Sequence, residues 1–74
     1  MSDIKVEVRL FAYLRENRGK VLYTNADTIR KVLDELKISD EDAHIILLNG
    51  HDADREHSLK DGDVLSIFPQ VGGG

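Results

Sequence analysis

Only one stretch of the sequence carries helical periodicity, so a single helix must cover whatever sheet the rest of the chain builds. Ile29, Val32, Leu33 and Leu36 fall at i, i+3, i+4 and i+7, while Arg30, Lys31, Asp34 and Glu35 take the other side of the same cylinder. Asp27 or Thr28 can accept hydrogen bonds from the free first-turn amides, and Lys37 suits the negative pole of the dipole. The other apolar segments are strand-like. Over residues 4–10, Ile4, Val6, Val8 and Leu10 alternate with Lys5, Glu7 and Arg9, which predicts a strand with one buried face. Phe11 to Leu14 break that alternation, and the polar residues 15–19 end on a glycine that favours a turn. Val21, Leu22, Tyr23 and Thr24 then predict a hairpin partner for the first strand.

Residues 45–48 form an apolar run too short for a helix, closed by Asn49-Gly50, the dipeptide best suited to a type I′ turn. A short edge strand is expected at the start of the polar stretch 51–58, with Leu59 as its apolar anchor. Residues 64–68 make the last strand, and Pro69 stops it because proline offers the ladder no amide hydrogen. The order strand, strand, helix, strand, small strand, strand predicts an α+β chain: a β-grasp with a mixed four- to five-stranded sheet and one main helix packed on one face. Its final strand returns parallel beside the first.

Seventy-four residues hold one small domain, read as residues 1–69 with a glycine-rich tail at 70–74. A domain of this size buries only about 60% of its unfolded surface, which leaves no depth for an enclosed active site. Ten Lys and Arg against fourteen Asp and Glu give a net charge of −4, so no basic field draws the chain to nucleic acid or acidic lipid. Cysteine is absent, which removes disulfides, thiolate nucleophiles and cysteine zinc sites together. The start lacks the basic and apolar blocks of a signal peptide and no apolar run approaches a membrane span, so the chain is read as cytoplasmic.

His51, Asp52, Asp54, Glu56 and His57 crowd together, but the two histidines are not spaced to share a helical face and no second ligand pair is evident; they are read as a solvated loop with no metal. The acidic connector 39–42 is read the same way. Asp61-Gly62-Asp63 lacks the remaining ligands of a calcium loop and is read as a turn. With no phosphate-binding glycine loop and no serine elbow, the chain is expected to enter catalysis as a substrate or carrier. The carboxyl end offers the means. Five residues beyond Pro69 extend up to about 17 Å. Gly73 and Gly74, lacking Cβ atoms, can enter a narrow channel and let an attacking group approach the terminal carbonyl. The plain alternative is a frayed terminus.

Leu10-Phe11-Ala12-Tyr13-Leu14-Arg15-Glu16, then Gly19, Asn49, Leu59, Asp61-Gly62-Asp63, Phe68-Pro69 and the ending Val71-Gly72-Gly73-Gly74 together resemble the small sulfur-carrier subunit of molybdopterin synthase, a ubiquitin-like family. The resemblance runs over nearly the whole chain. It implies that an adenylyltransferase similar to ubiquitin-activating enzymes joins AMP to the Gly74 carboxylate, and that a persulfide donor converts this glycyl adenylate to a thiocarboxylate. It further implies that a large synthase subunit receives the sulfur, with Gly72 and Gly73 as the thin tail and no cofactor bound. Phe11 and Phe68 match residues of an apolar patch that contacts both partners, with Pro69 beside them. Phe11 is out of phase with the buried residues of the first strand, which favours its exposure. Arg15 either pairs with acidic groups of a partner or caps the loop locally. The chain departs from the family pattern at Asp52, where an apolar contact residue can stand, and in the short connector 37–44. A carrier for another pathway (thiamine thiazole, tRNA thiolation, cysteine), a modifier conjugated to lysines through Gly74, and a non-reactive binding module are the other readings.

Overall fold

The computed structural model describes residues 4–70. Strands β1 (Val6–Leu10), β2 (Val21–Thr24), β3 (Ile45–Leu48), β4 (His51–Asp52) and β5 (Val64–Phe68) form one sheet in the order β2-β1-β5-β3-β4, with helix α1 (Ile29–Leu36) joining β2 to β3 in sequence. β1 runs parallel to β5 and the remaining pairs are antiparallel. This is the β-grasp expected from the element order, with a five-stranded mixed sheet and, among the described residues, one α-helix.

Strand β1 begins at Val6 and not at Ile4. The Lys5 N–H donates to Asp61 Oδ1 at 2.9 Å and the Lys5 carbonyl accepts from Gly62 N–H at 3.0 Å, so the chain before Val6 is held by the turn that precedes β5. The alternation then works as the sequence implies. Val6, Val8 and Leu10 are fully buried, and their register partners Leu65 and Ile67 on β5 and Ile46 and Leu48 on β3 lie on the same face. Ile29, Val32 and Leu33 of α1 close over them. Burying each such side chain stabilises the fold by about 1.5–3 kcal/mol, before the entropy of ordering the chain is subtracted.

Both ends of α1 are built by backbone satisfaction. Thr28 Oγ accepts from Lys31 N–H at 3.2 Å, while Asp27 pairs with the Lys31 ammonium at 2.9 Å. At the other end Lys37 acts through its backbone and not through its charge. It sits in the left-handed region at φ 59, ψ 42, its N–H donates to the Asp34 carbonyl at 3.2 Å, and Ile38 N–H donates to Leu33 at 2.9 Å. That is a Schellman ending, with Ile38 and Leu33 buried together. The cation at this helix end is Arg18, whose Nε donates to the Leu36 carbonyl at 2.9 Å and whose Nη2 donates to that of Lys37 at 3.3 Å.

The connector 39–42 is more than a solvated loop. Asp40 accepts from Arg30 Nη1 at 2.8 Å, and Arg55 Nε lies 3.2 Å from the same carboxylate without aiming its hydrogen at it. Arg55 Nη2 also donates to the carbonyls of Asp40 and Ala43, both at 2.8 Å, so one exposed loop is pinned to the segment after β4. Asn49 and Gly50 both take positive φ, 53 and 87, as the type I′ turn demands. The Asn49 side chain donates to Asp63 Oδ1 at 3.0 Å and accepts from Val64 N–H at 2.9 Å, fixing that hairpin to the start of β5. Leu59 is buried, the anchor its isolation in a polar stretch implies.

Candidate functional site

Among the described residues one helix covers one face of the sheet and none covers the other. Along it stand the residues out of phase with the core: Val21 and Tyr23 on β2, Glu7 and Arg9 on β1, Ser66 and Phe68 on β5, Ile45 and Leu47 on β3. Its apolar end lies where β1 and β5 finish side by side. Leu10 is in register with Ile67, so the next residues, Phe11 and Phe68, meet; their rings stack with centroids 4.1 Å apart and planes 12° from parallel. Both are half-buried by this contact, which places them out of phase with the core as the parity of β1 implies.

The chain leaves β1 through Ala12, which takes φ 55, and then makes a 3₁₀ turn over Ala12–Arg15. Periodicity alone does not announce that turn. Its anchor is Leu14, buried to 1% exposure, and its consequence is the position of Arg15. Arg15 Nε donates to the Leu10 carbonyl at 2.8 Å and the guanidinium carbon lies 5.4 Å from the Phe11 ring centre, a cation over an aromatic face. Of the two roles open to Arg15, the local cap is therefore made, and the side chain still faces solvent. Ile45, in register with Phe68 and 44% exposed, widens the patch. Reading 45–48 as a uniformly buried run hides it; the clue is that Ile45 is out of phase with buried Ile46 and Leu48.

Pro69 does not join this surface. It is buried at the end of β5, where it serves as the strand stop. Gly72, Gly73 and Gly74 lie outside the described residues. Close by, Tyr13 donates its phenol hydrogen to Asp42 Oδ1 at 2.9 Å, and that bond holds its pKa above the ordinary value. Three members of the polar cluster after β3 make local contacts, with His51 and Asp52 exposed on β4: Asp54 Oδ1 accepts from Glu56 N–H at 2.9 Å, Glu56 lies 3.4 Å from Arg30 Nε, and His57 Nδ1 lies 2.8 Å from the Ser58 carbonyl. Among the described residues no three acidic or histidine side chains converge on a metal-sized site, and none of their helices is long and apolar enough to cross a membrane. The patch holds an aromatic pair, a β-branched side chain and one guanidinium. It can dock a partner surface; it carries no nucleophile and base in contact that would do chemistry by themselves.

Comparison with known proteins places this geometry. No curated protein sequence matches the chain. Among solved structures, it is similar to the Haloferax volcanii protein HVO 2177, with 28% identity, a TM-score of 0.76 and coverage of 96% of this chain and 87% of that one. It is also similar to a chain in the complex of subunits 1 and 2 of the molybdopterin-converting factor of Helicobacter pylori 26695, with 30% identity, a TM-score of 0.67 and coverage of 96% and 100%. The small archaeal modifier protein 1 of Methanosarcina acetivorans shows 30% identity, a TM-score of 0.73 and coverage of 96% and 97%. The ThiS family pattern matches residues 8–74, from the middle of β1 through the glycine ending. With that span, the β-grasp sheet and these neighbours, the chain belongs to the ThiS family of ubiquitin-like sulfur carriers.

Proposed function

We propose that this chain carries sulfur on the Gly74 carboxylate for the dithiolene of molybdopterin, acting as the small subunit of the synthase. The observation that carries the reading is the Phe11–Phe68 stack with Arg15 over it, built at the end of the strand that leads into the glycine tail. A partner that grips this patch holds the tail's point of departure, and the tail's reach of about 17 Å delivers its end into that partner's site. The similarity to a subunit of the molybdopterin-converting factor supports the choice of pathway.

The chemistry follows from the electrophile. A carboxylate resists attack because its charge is delocalised, so its oxygen first attacks the α-phosphorus of ATP and pyrophosphate leaves. A persulfide sulfur on a donor protein then attacks the acyl carbon and AMP departs. A thiol cleaves the resulting acyl disulfide, taking the donor sulfur into a new disulfide and leaving the thiocarboxylate. The adenylyltransferase, persulfide donor and large subunit supply every catalytic group, and the chain supplies only its end and the surface that docks it.

The absence of cysteine makes the test direct, because a thiocarboxylate is then the one site a thiol-alkylating reagent can label. Protein purified from its own host, beside a variant lacking Gly73 and Gly74, is divided in two: one part is alkylated at once, the other is first given the large subunit and pterin precursor and alkylated afterwards. Label confined to the C-terminus in the first part, and lost from the second as molybdopterin forms, supports the reading. A thiocarboxylate that still labels fully after incubation with the synthase assigns the sulfur to another pathway. The second reading, a protein modifier, is favoured by the similarity to a small archaeal modifier protein; it requires Gly74-dependent conjugates that survive a denaturing gel.

A further inference from the structure

The two edges of the sheet are unequal. β4 closes one side with two residues, too short to template another strand. β2 closes the other with four, and neither proline nor a bulge protects it. The direction of its free groups is fixed by the ladder. Glu7 N–H donates towards β5, to the Asp63 carbonyl at 3.0 Å, while Leu10 N–H donates to the Lys20 carbonyl on the other side at 2.9 Å. The even-numbered residues of β1 therefore face β2, and in the observed register they use the backbone groups of Leu22 and Thr24. Val21 and Tyr23 point their N–H and C=O groups outward, and no described residue bonds them. They are also among the exposed large apolar side chains, at 46% and 60%.

We propose that this edge pairs with a second copy of the same chain, antiparallel about Leu22. With that centre Val21 lies opposite Tyr23 of the second copy, and each such pair exchanges two backbone hydrogen bonds, so the outward groups are all satisfied. On the open face a β-branched side chain meets an aromatic one twice; on the helix side the two Leu22 residues meet in the closer, non-hydrogen-bonded position. Charge selects a second copy over an arbitrary strand. The pairing sets Lys20 opposite Thr24 of the second copy, and Thr24 Oγ holds the Glu35 carboxylate at 2.7 Å. Each end of the joint thus puts an exposed ammonium beside a carboxylate already positioned for it. The strand directions send the two β5 ends opposite ways, leaving both Phe11–Phe68 patches free. The inference is therefore independent of the sulfur pathway.

The joint is small, so it forms a weak dimer whose population rises with concentration. Sedimentation and amide exchange are followed from about 0.05 to about 1 mM. A dimer is expected to grow over this range, with slowed exchange at the Val21 and Tyr23 amides. Lys20→Glu and Glu35→Lys place like charges together and each weakens association by at least about tenfold. Their equimolar mixture restores it, because the mixed dimer has a Lys–Glu pair at both ends. Lys20 is exposed, so its variant keeps the fold. A chain that stays monomeric throughout, a dimer whose Val21 and Tyr23 amides exchange as in the monomer, or single variants that associate like the parent overturns the proposal.

Discussion

Replacing Lys37 by glycine should stabilise the domain, although lysine is the residue that a charge argument puts at the end of a helix. The side chain stands at φ 59, ψ 42, where a Cβ crowds the following carbonyl at a cost of about 1–2 kcal/mol. The position is enforced from both sides. Ile38 N–H must reach the Leu33 carbonyl and Arg18 Nη2 that of Lys37, and both groups lie beyond the Lys37 φ, so a relaxation to negative φ swings them away. Glycine removes the crowding but loses more freedom on folding, which offsets about half of the gain. The clean comparison is glycine against alanine at this position, since both lose the ammonium and only alanine keeps the Cβ. Lys37→Gly is expected to exceed Lys37→Ala by about 0.5–1 kcal/mol, or about 2–8 °C in Tm for a domain of this size. Urea midpoints at constant m-value and thermal melts measure the difference. Equal stabilities of the two variants would refute the reasoning, and a loss in both by the same amount would return Lys37 to the dipole role.

Phe11→Asp puts a charge into the stacked pair and should weaken binding to the large subunit or the activating enzyme by at least about 30-fold, read by calorimetry, while a helix signal unchanged in circular dichroism shows the fold intact. Leu14→Ala empties the anchor of the 3₁₀ turn and should cost about 2–5 kcal/mol in urea unfolding, with Arg15 and Phe11 losing their fixed positions in side-chain spectra. Asp27 is held below its ordinary pKa by its bond to Lys31, and Asp40 by its bond to Arg30. The unfolded chain therefore takes up their protons first. The stability they contribute is whole above the ordinary carboxylate pKa and disappears as pH falls through the lowered folded values. Asp40→Asn should flatten that acid limb, and an acid limb as steep as the parent's in pH-dependent urea midpoints would remove Asp40 from the account.

Much of this was legible because two periods do not overlap. The alternation through β1 and the i, i+3, i+4, i+7 pattern of α1 leave each element one face to bury, and Asn49-Gly50 and Pro69 mark where strands stop. The parts that were not legible share a cause: they depend on where remote backbone ends up. Lys37 reads as a charge until the Ile38–Leu33 bond forces it left-handed. Residues 39–42 read as solvated until Arg30 and Arg55 arrive from α1 and the segment after β4. Ile45 reads as core because four apolar residues in a row hide their own parity, and only the pairing with β5 shows which two face inward. Arg15 stayed open between two roles because its hydrogen-bond acceptor, the Leu10 carbonyl, is freed only when the chain turns at Ala12.

That turn also explains why a carrier of this size can be recognised at all. The parallel pairing of β1 with β5 brings residue 11 beside residue 68, so the start of the domain and the base of the tail share one surface. A hairpin of neighbouring strands would bring only local sequence together; the parallel pair joins the two ends of the domain. Phe11 is still extended, at φ −128 and ψ 152; had the chain stayed extended through Ala12 as well, Arg15 would have been carried away along the strand and no cation would stand over the ring. The positive φ of Ala12 and the burial of Leu14 instead stop the strand there and return Arg15 to the Leu10 carbonyl. In the proposed docking, a strained residue and a buried leucine are thus the fold's contribution, and a partner closing on Phe11, Phe68 and Arg15 would fix the root of the tail without touching its glycines.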